Sequence, residues 1–257
     1  MASLSVSSGC FYTHDYEAIA SLLAQCGAGS AEIIVYEPHD EMLPFVRPAL
    51  KECPVPIAAV HASKHIQFYL SSPGMEHKAE RMVGESVALA KDLGAPQVVL
   101  HAWDGRFNEL DVAAMCAVVS RCAERADDEG ILLSVEALPA RAMFPGVLLR
   151  HFLDASPLLA FTLDFEYAAI YDMFSYLCRY VGRLSNVHLR DFDGHWIVDG
   201  RRSYVRPGRG SIDFAACIGM LRDAGYDGNY SLESPYDDLA ALSEDMALFG
   251  DLVGCGR

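Results

Sequence analysis

No apolar run in the 257 residues approaches the roughly 18 to 20 that a helix needs to cross a bilayer. The start, MASLSVSSGCFYTH, has no basic patch ahead of a long apolar core. No secretory leader is therefore expected, and the cytoplasm is the expected compartment. None of the eight cysteines (10, 26, 53, 116, 122, 178, 217 and 255) forms a CxxC pair. Several, such as Cys116 and Cys122, fall on apolar helix positions, as buried free thiols in a reducing compartment would. Basic residues are scarce: 20 Lys and Arg face 35 Asp and Glu, the formal net charge is −15, and no basic cluster exceeds Arg201-Arg202. A duplex-DNA binder draws most of its affinity from phosphate neutralisation, so this balance argues against nucleic acid. The first strand candidate is not followed by a phosphate-binding glycine fingerprint, which argues against a doubly wound nucleotide-binding sheet. Linker-like and low-complexity stretches are also missing, so residues 1–257 read as one domain. The one glycosylation-type sequon, Asn229-Tyr230-Ser231, falls inside a strand-like run and reads as incidental.

What is present is alternation. Short apolar runs of strand length recur at SLSVSS near the N-terminus, AEIIVYE (31–37), IAAVH (57–61), QVVLH (97–101), ILLSVE (131–136), LAFTLD (159–164), NVHLRD (186–191) and YSLE (230–233). They are mostly apolar throughout, as strands of a parallel sheet covered on both faces are. Helical periodicity lies between them. In residues 74–95, Ala79, Met82, Val83, Val87, Ala90 and Leu93 form one apolar stripe before Gly94. Residues 111–130 repeat the pattern, and 212–228 and 237–253 supply two further helices. Eight strands, each followed by a helix, in a chain of this length predict a single (β/α)8 TIM barrel. Between 191 and 211 the run DFDGHWIVDGRRSYVRPGRGS is irregular, and HWIV and RRSYV flank Asp199-Gly200. That dipeptide predicts a small hairpin inserted after strand seven.

The strand-like runs share a second feature, which is that they end on polar groups. Strand two ends on Glu37, three on His61, four on His101, five on Glu136, six on Asp164 and eight on Glu233, while seven reaches His188. In a parallel barrel these ends open on one face. Carboxylates and imidazoles crowded together there need a compensating positive charge, and a divalent metal supplies it economically. Glu136, Asp164, His188 and Glu233 are the expected ligands, while Glu37 is kept as an ordinary rim group. Three carboxylates and one imidazole suit Mn²⁺, Mg²⁺ or Co²⁺ as well as Zn²⁺. His61 and His101 are assigned to substrate contact, with a second metal as the alternative.

The ordered series IAAVHAS, VVLHAW, LLSVEALP, LAFTLDFEYA, NVHLRDFDG, RPGRGSIDF and GYDGNYSLES, over roughly residues 57 to 235, resembles the xylose isomerase-like TIM-barrel superfamily. That superfamily includes sugar and sugar-phosphate isomerases and epimerases and the AP endonuclease family 2 enzymes. By resemblance to its epimerases, Glu136, Asp164, His188 and Glu233 hold one metal. Glu136 and Glu233 also serve as the acid/base pair on opposite faces of a small sugar-like substrate. Removing a proton next to a carbonyl builds charge on oxygen, which a neighbouring cation stabilises, so the assignment is chemically coherent. The endonuclease branch offers the alternative of a di-zinc hydrolase or lyase using His61 and His101 for the second metal. Its third site requires a histidine where this chain has Tyr167, and an Asp-x-His in the loop after strand seven, which YVRPGRG (204–210) does not offer. Tyr167 also replaces a substrate-touching histidine of many ketose epimerases, so no ketohexose specificity carries over. Arg190 and Arg206 lie beside the expected site and either can take a substrate oxyanion or serve as a salt-bridged rim residue. Trp103 and Lys64 follow strands four and three closely enough to line the funnel, and Trp103 either stacks on a sugar face or plugs the mouth. A barrel that binds a ligand without catalysis is the third reading. Self-association is left open.

Overall fold

The computed structural model describes residues 2–36 and 47–255. Eight parallel strands close a barrel: β1 (Ser3–Ser7), β2 (Ala31–Ile34), β3 (Ile57–His61), β4 (Gln97–Leu100), β5 (Leu132–Glu136), β6 (Leu159–Asp164), β7 (Leu184–Leu189) and β8 (Asn229–Leu232). Each pairs with its sequence neighbours, and β1 closes the ring against β8 through Ser3↔Asn229 to Val6↔Leu232. The fold expected from the alternation is therefore the one observed. Glu37, the expected end of strand two, lies outside the described residues.

The helices of the outer layer form where the periodicity placed them. Glu76–Leu93 buries Ala79, Met82, Val83, Val87 and Ala90 against the barrel and ends at Gly94, whose φ of 69° provides the left-handed cap. Val112–Asp128 starts where the Asp111 carboxylate accepts from the Ala114 amide. Shorter helices at His65–Leu70, Phe165–Ile170 and Phe174–Leu177 escape notice in the sequence, because a helix of one or two turns shows too little periodicity. No described helix is long and apolar enough to cross a membrane. All eight cysteines are free.

The insertion after β7 is a hairpin. Ile197–Val198 pairs antiparallel with Arg201–Arg202 around Asp199 and Gly200, with φ of 50° and 74°, the two left-handed residues of a type I′ turn. Its base is fastened by one carboxylate. Asp191 accepts backbone N–H groups from Phe192, Gly208, Gly210 and Ile212 at 2.8–3.2 Å. This places the hairpin over the end of the barrel at which the strands finish.

The barrel interior is polar on one side. Ser5, Glu32, Asn186 and Asn229 are 0–8% exposed. They are joined by Asn229 Nδ2 donating to Ser5 Oγ (2.9 Å) and Asn186 Oδ1 (2.8 Å), and by Asn186 Nδ2 donating to Glu32 Oε2 (2.9 Å). β7 and β2 are not neighbours in the ring, so the Asn186–Glu32 bond crosses the interior.

Candidate functional site

At the C-terminal end of the strands the interior changes from neutral polar groups to titratable ones. Asp164 and His188 face each other as direct partners between β6 and β7. Glu136 closes β5, and Glu233 follows β8 directly. His61 closes β3, and His101 follows β4. All six are 6% exposed or less, or for the Glu233 side chain 9%. Six of the seven polar strand ends are thus brought together.

Glu136 is the hub. Its Oε2 lies 3.0 Å from His61 Nε2 and 2.7 Å from His101 Nε2, and its Oε1 is 3.4 Å from His188 Nδ1. His188 Nδ1 is also 2.8 Å from Glu233 Oε2. Two groups of donor atoms draw within 4.8 Å of one another: His61, His101 and Glu136, and Glu136, Asp164 and His188. Both have the residue chemistry of a cation site, and Glu136 belongs to both.

One detail tests whether a cation fits. His188 Nδ1 and Glu233 Oε2 approach to 2.8 Å, yet neither has an aligned hydrogen bond among the described residues. A proton held by the His188 ring joins the two as an ion pair, and a divalent ion can take that proton's place between them. Donors bound at about 2.1 Å to one ion, at angles near 90° to 110°, lie about 3.0–3.4 Å apart, close to the spacing here. The residues present fit a divalent ion.

Burial and charge pull these groups in different directions. Burial would raise the Glu136 and Glu233 carboxyls, but the His101 and His188 rings hold Glu136 well below the usual carboxylate range, and His188 holds Glu233 down to about 2. For Asp164 burial prevails and its carboxyl is raised despite Arg190. Burial favours a neutral imidazole at His101, taking it down to about 4. At His188 the carboxylates of Glu233, Glu32 and Glu136 outweigh burial and the ring holds its proton more tightly than usual.

Local sequence explains the pose of Asp164. It ends β6 and caps the next helix, Oδ1 accepting from the Tyr167 amide at 3.0 Å, while Oδ2 accepts from Arg190 Nη1 at 3.2 Å. Arg190 also reaches Glu166 Oε2 (2.8 Å), which takes Arg202 of the hairpin at 2.6 Å. The hairpin is thereby tied to Asp164 through two arginines and one buried glutamate. Burial pushes the Glu166 carboxyl up to about 7 against the pull of those arginines. The Arg202 guanidinium sits 4.9 Å from the Trp196 ring centre, 5.5 Å from Tyr204 and 5.7 Å from Tyr167.

Above the cluster the mouth divides into two lobes that share Lys64 and Tyr167. One, of 420 Å³, is lined by Tyr12, Tyr36, Arg190, Arg202, Tyr204 and Glu233 among others. The other, of 290 Å³, includes Gln67, His101, Arg141, Tyr171 and Trp196. The Tyr36 hydroxyl and the Trp196 indole nitrogen are buried with no hydrogen-bond partner among the described residues. A wider groove of 560 Å³ lies on the outside, between Glu17–Ala24 and Pro48–Pro54, away from every titratable cluster described above.

Two expected substrate contacts are displaced. Trp103 is wholly buried, stacked on Phe152 at 5.7 Å, with its indole N–H donating to the Pro139 carbonyl. It belongs to the core, because a large ring three residues beyond a strand end turns as easily under the helices as over the mouth. The tryptophan at the mouth is Trp196, which the sequence placed only within the hairpin. Arg206 is held by Asp245 (2.6 Å), Glu244 (2.9 Å) and the Ala241 carbonyl (2.8 Å), so its charge is spent on the last helix, Leu239–Val253. Tyr167, Arg190 and His101 line the mouth as expected, and His61 lies beneath it on Glu136.

Two residues of the site carried no signal in the sequence. Glu32, in mid-strand on β2, receives His188 Nε2 at 3.0 Å. Its alternation with apolar neighbours is the only hint that a charge faces inward. Gly9 packs where a Cβ would stand 3.1 Å from Glu233 Cγ and 3.0 Å from Ile34 Cδ1. A side chain there would require Glu233, Ile34 or Ser7 to give by a few tenths of an ångström.

The closed (β/α)8 barrel carries its buried carboxylate–imidazole cluster at the C-terminal mouth, the face on which this fold places its functional sites. The model of the xylose isomerase-like TIM barrel family matches residues 20–252, and the chain belongs to that family. No curated protein matches it in sequence. Solved structures match in fold. An L-ribulose 3-epimerase is 17% identical with a TM-score of 0.75, covering 99% of this chain and 95% of its own. A 3-keto-D-glucoside 4-epimerase from E. coli is 17% identical with a TM-score of 0.71, covering 99% and 100%. An AP endonuclease, family 2, from Brucella melitensis is 17% identical with a TM-score of 0.72, covering 98% and 99%. At these identities the likeness is one of fold.

Proposed function

We propose that this protein is a divalent-metal-dependent isomerase or epimerase acting on a small sugar-like polyhydroxy carbonyl compound. The observation that carries this reading is the convergence of Glu136, Asp164 and His188 from three consecutive strands, with Glu233 Oε2, just past the fourth, 2.8 Å from His188 Nδ1. A divalent ion held by these four would supply a Lewis acid for a substrate carbonyl oxygen. The glutamates supply the proton chemistry. One carboxylate takes the proton from the carbon next to the carbonyl, and the electron pair passes to the oxygen as an enediolate. The other, entering the cycle as the carboxylic acid, returns its proton to that carbon from the opposite face and inverts it, and proton exchange with solvent then restores the pair.

Arg190, Tyr167 and the unpaired Tyr36 hydroxyl offer hydrogen bonds to substrate hydroxyls, and Trp196 offers an apolar face and an N–H. The names of two structural relatives, L-ribulose 3-epimerase and 3-keto-D-glucoside 4-epimerase, agree with this reaction class. Hydrolysis has less behind it. Tyr167 stands where the three-zinc endonucleases need an imidazole, and its ring packs 5.2 Å from the Arg190 guanidinium. The His61–His101–Glu136 group nevertheless favours room for a second cation.

The test is metal content per chain, by mass spectrometry, for wild type, Glu136→Gln and His61→Ala purified without chelator. One equivalent, lost in Glu136→Gln and kept in His61→Ala, supports the reading. A sugar panel in deuterated water should then show solvent deuterium entering at carbon, with turnover in Glu136→Gln down about 10²- to 10⁴-fold. Two equivalents with one lost in His61→Ala would bring hydrolysis forward. No bound metal after incubation with Mn²⁺, Co²⁺ and Zn²⁺ would overturn the proposal.

A further inference from the structure

The geometry points to Glu32 as the positioning residue of the cation site: it fixes His188 in the tautomer that turns a bare Nδ1 lone pair toward Glu136, Asp164 and Glu233. The inference rests on the metal site proposed above and adds a residue to it from the opposite side of the barrel.

A carboxylate only accepts hydrogen bonds, so at 3.0 Å from Glu32 Oε1 the Nε2 of His188 must carry the hydrogen. A lone pair at Nε2 would face a carboxylate lone pair inside a site with no water contact, since both side chains are 0% exposed. The same conclusion disposes of the Asn186 Nδ2 contact to Nε2 at 3.2 Å, which is a crowding of two donors around one carboxylate rather than a bond between them. With Nε2 protonated, a neutral ring has its free lone pair at Nδ1, the atom found 2.8 Å from Glu233 and 3.4 Å from Glu136.

Glu32 is itself held by a chain of amides whose orientation leaves no choice. Asn186 must present Nδ2 to Glu32 Oε2 (2.9 Å), so its Oδ1 accepts from Asn229 Nδ2 (2.8 Å), and Asn229 Oδ1 accepts from Ser3 Oγ (3.0 Å). The links from Ser3 through Asn229 and Asn186 to Glu32 all donate toward β2, while the second Asn229 Nδ2 hydrogen goes back to Ser5 Oγ on β1. A buried network satisfied throughout fixes one geometry. A metal-binding histidine whose other nitrogen donates to a carboxylate gains basicity and a fixed ring orientation, and loss of such a partner costs about 10- to 100-fold in metal affinity.

The experiment is Mn²⁺ titration calorimetry on chelator-stripped wild type, Glu32→Gln and Glu32→Ala, with the visible absorption of Co²⁺ complexes as a second readout. Glu32→Ala should bind Mn²⁺ about 10- to 100-fold more weakly and change the Co²⁺ bands as an imidazole ligand loosens. Glu32→Gln keeps size and an acceptor but loses the charge, so it should fall between, which a merely structural role would not produce in the Co²⁺ spectrum. If Glu32→Ala fails to fold, Glu32→Gln decides alone. Folded variants with wild-type affinity and spectrum would overturn the role of Glu32 while leaving the metal site standing. A wild type that binds neither ion would overturn both.

Discussion

The two halves of the barrel mouth are built differently. The floor, around Glu136, His188, Glu233 and Glu32, comes from strand ends and strand interiors, and its side chains are almost wholly buried. The cover, around Arg190, Glu166, Arg202, Trp196 and Tyr204, comes largely from the loop and hairpin after β7, and Tyr204 is 53% exposed. In the floor, position is set by the register of a closed ring of hydrogen bonds. In the cover, it is set by ion pairs and by the Asp191 carboxylate that gathers four backbone amides. On the proposed reading, the chemistry, which tolerates little displacement, would occupy the rigid part, and the part that changes most easily would face the substrate.

The contrast predicts that disturbing the floor changes turnover, whereas disturbing the cover changes binding. Among variants that leave the proposed ligands in place, Gly9→Ala should give the largest effect, because the added methyl presses on Glu233 and Ile34 by a few tenths of an ångström. We expect kcat to fall about five- to ten-fold, with a smaller change in KM. Steady-state kinetics beside a thermal melt checks it; a proportionate loss of melting temperature would mean that the whole fold had yielded instead.

Acid tests the floor in a second way. A neutral His101 in the folded chain and a protonatable one in the unfolded chain mean that, from pH 6.5 down to about 4, the unfolded state binds more protons. Stability contributed by this group is full above pH 6.5 and lost as pH falls through that window, by about 3 kcal/mol at most. His188, whose folded ring holds its proton more tightly, acts with the opposite sign above about pH 6 and adds little slope below that. Glu166 acts with the opposite sign between its ordinary value and about 7, so the comparison is with His101→Gln, not with a flat line. Urea denaturation of chelated protein at pH 7, 6, 5 and 4 should show a shallower loss toward acid in His101→Gln than in wild type.

Arg202→Ala addresses the cover. It removes one of the two guanidiniums on Glu166 and the cation from among three aromatic rings, but leaves Arg190 in place. KM should rise several-fold while kcat changes less, with a stability loss of about 1 kcal/mol for a pair still partly exposed. A fall in kcat greater than the rise in KM would show that the hairpin controls Asp164 through Arg190. The smallest functional effect belongs to Trp103→Phe. It should cost about 1 kcal/mol through the lost bond to Pro139, read from the urea midpoint, and leave KM unchanged, whereas Trp196→Ala should raise KM.

The same division separates what could be read from the chain from what could not. The floor was legible because strand ends are local features. An apolar run that stops on Glu136 or Asp164 announces both the strand and the polar group at its mouth, and parallel topology brings such ends together. The cover was legible only as a hairpin. Nothing local distinguishes Trp196 at the mouth from Trp103 beneath the helices, or an Arg190 turned to the site from an Arg206 paired with Asp245 and Glu244. Those outcomes depend on which helix or loop lies opposite.

By itself the sequence determined the alternation of strands and helices, the closure into a (β/α)8 barrel and the concentration of Glu136, Asp164, His188 and Glu233 at one end, because periodicity and strand termination are properties of a few consecutive residues. Only the tertiary structure decided that Glu32 lies across the barrel from its own strand's neighbours and supports His188, 156 positions away. The physical reason is that β2 and β7 share no hydrogen-bonded edge: their side chains meet only once all eight strands have closed around the same interior.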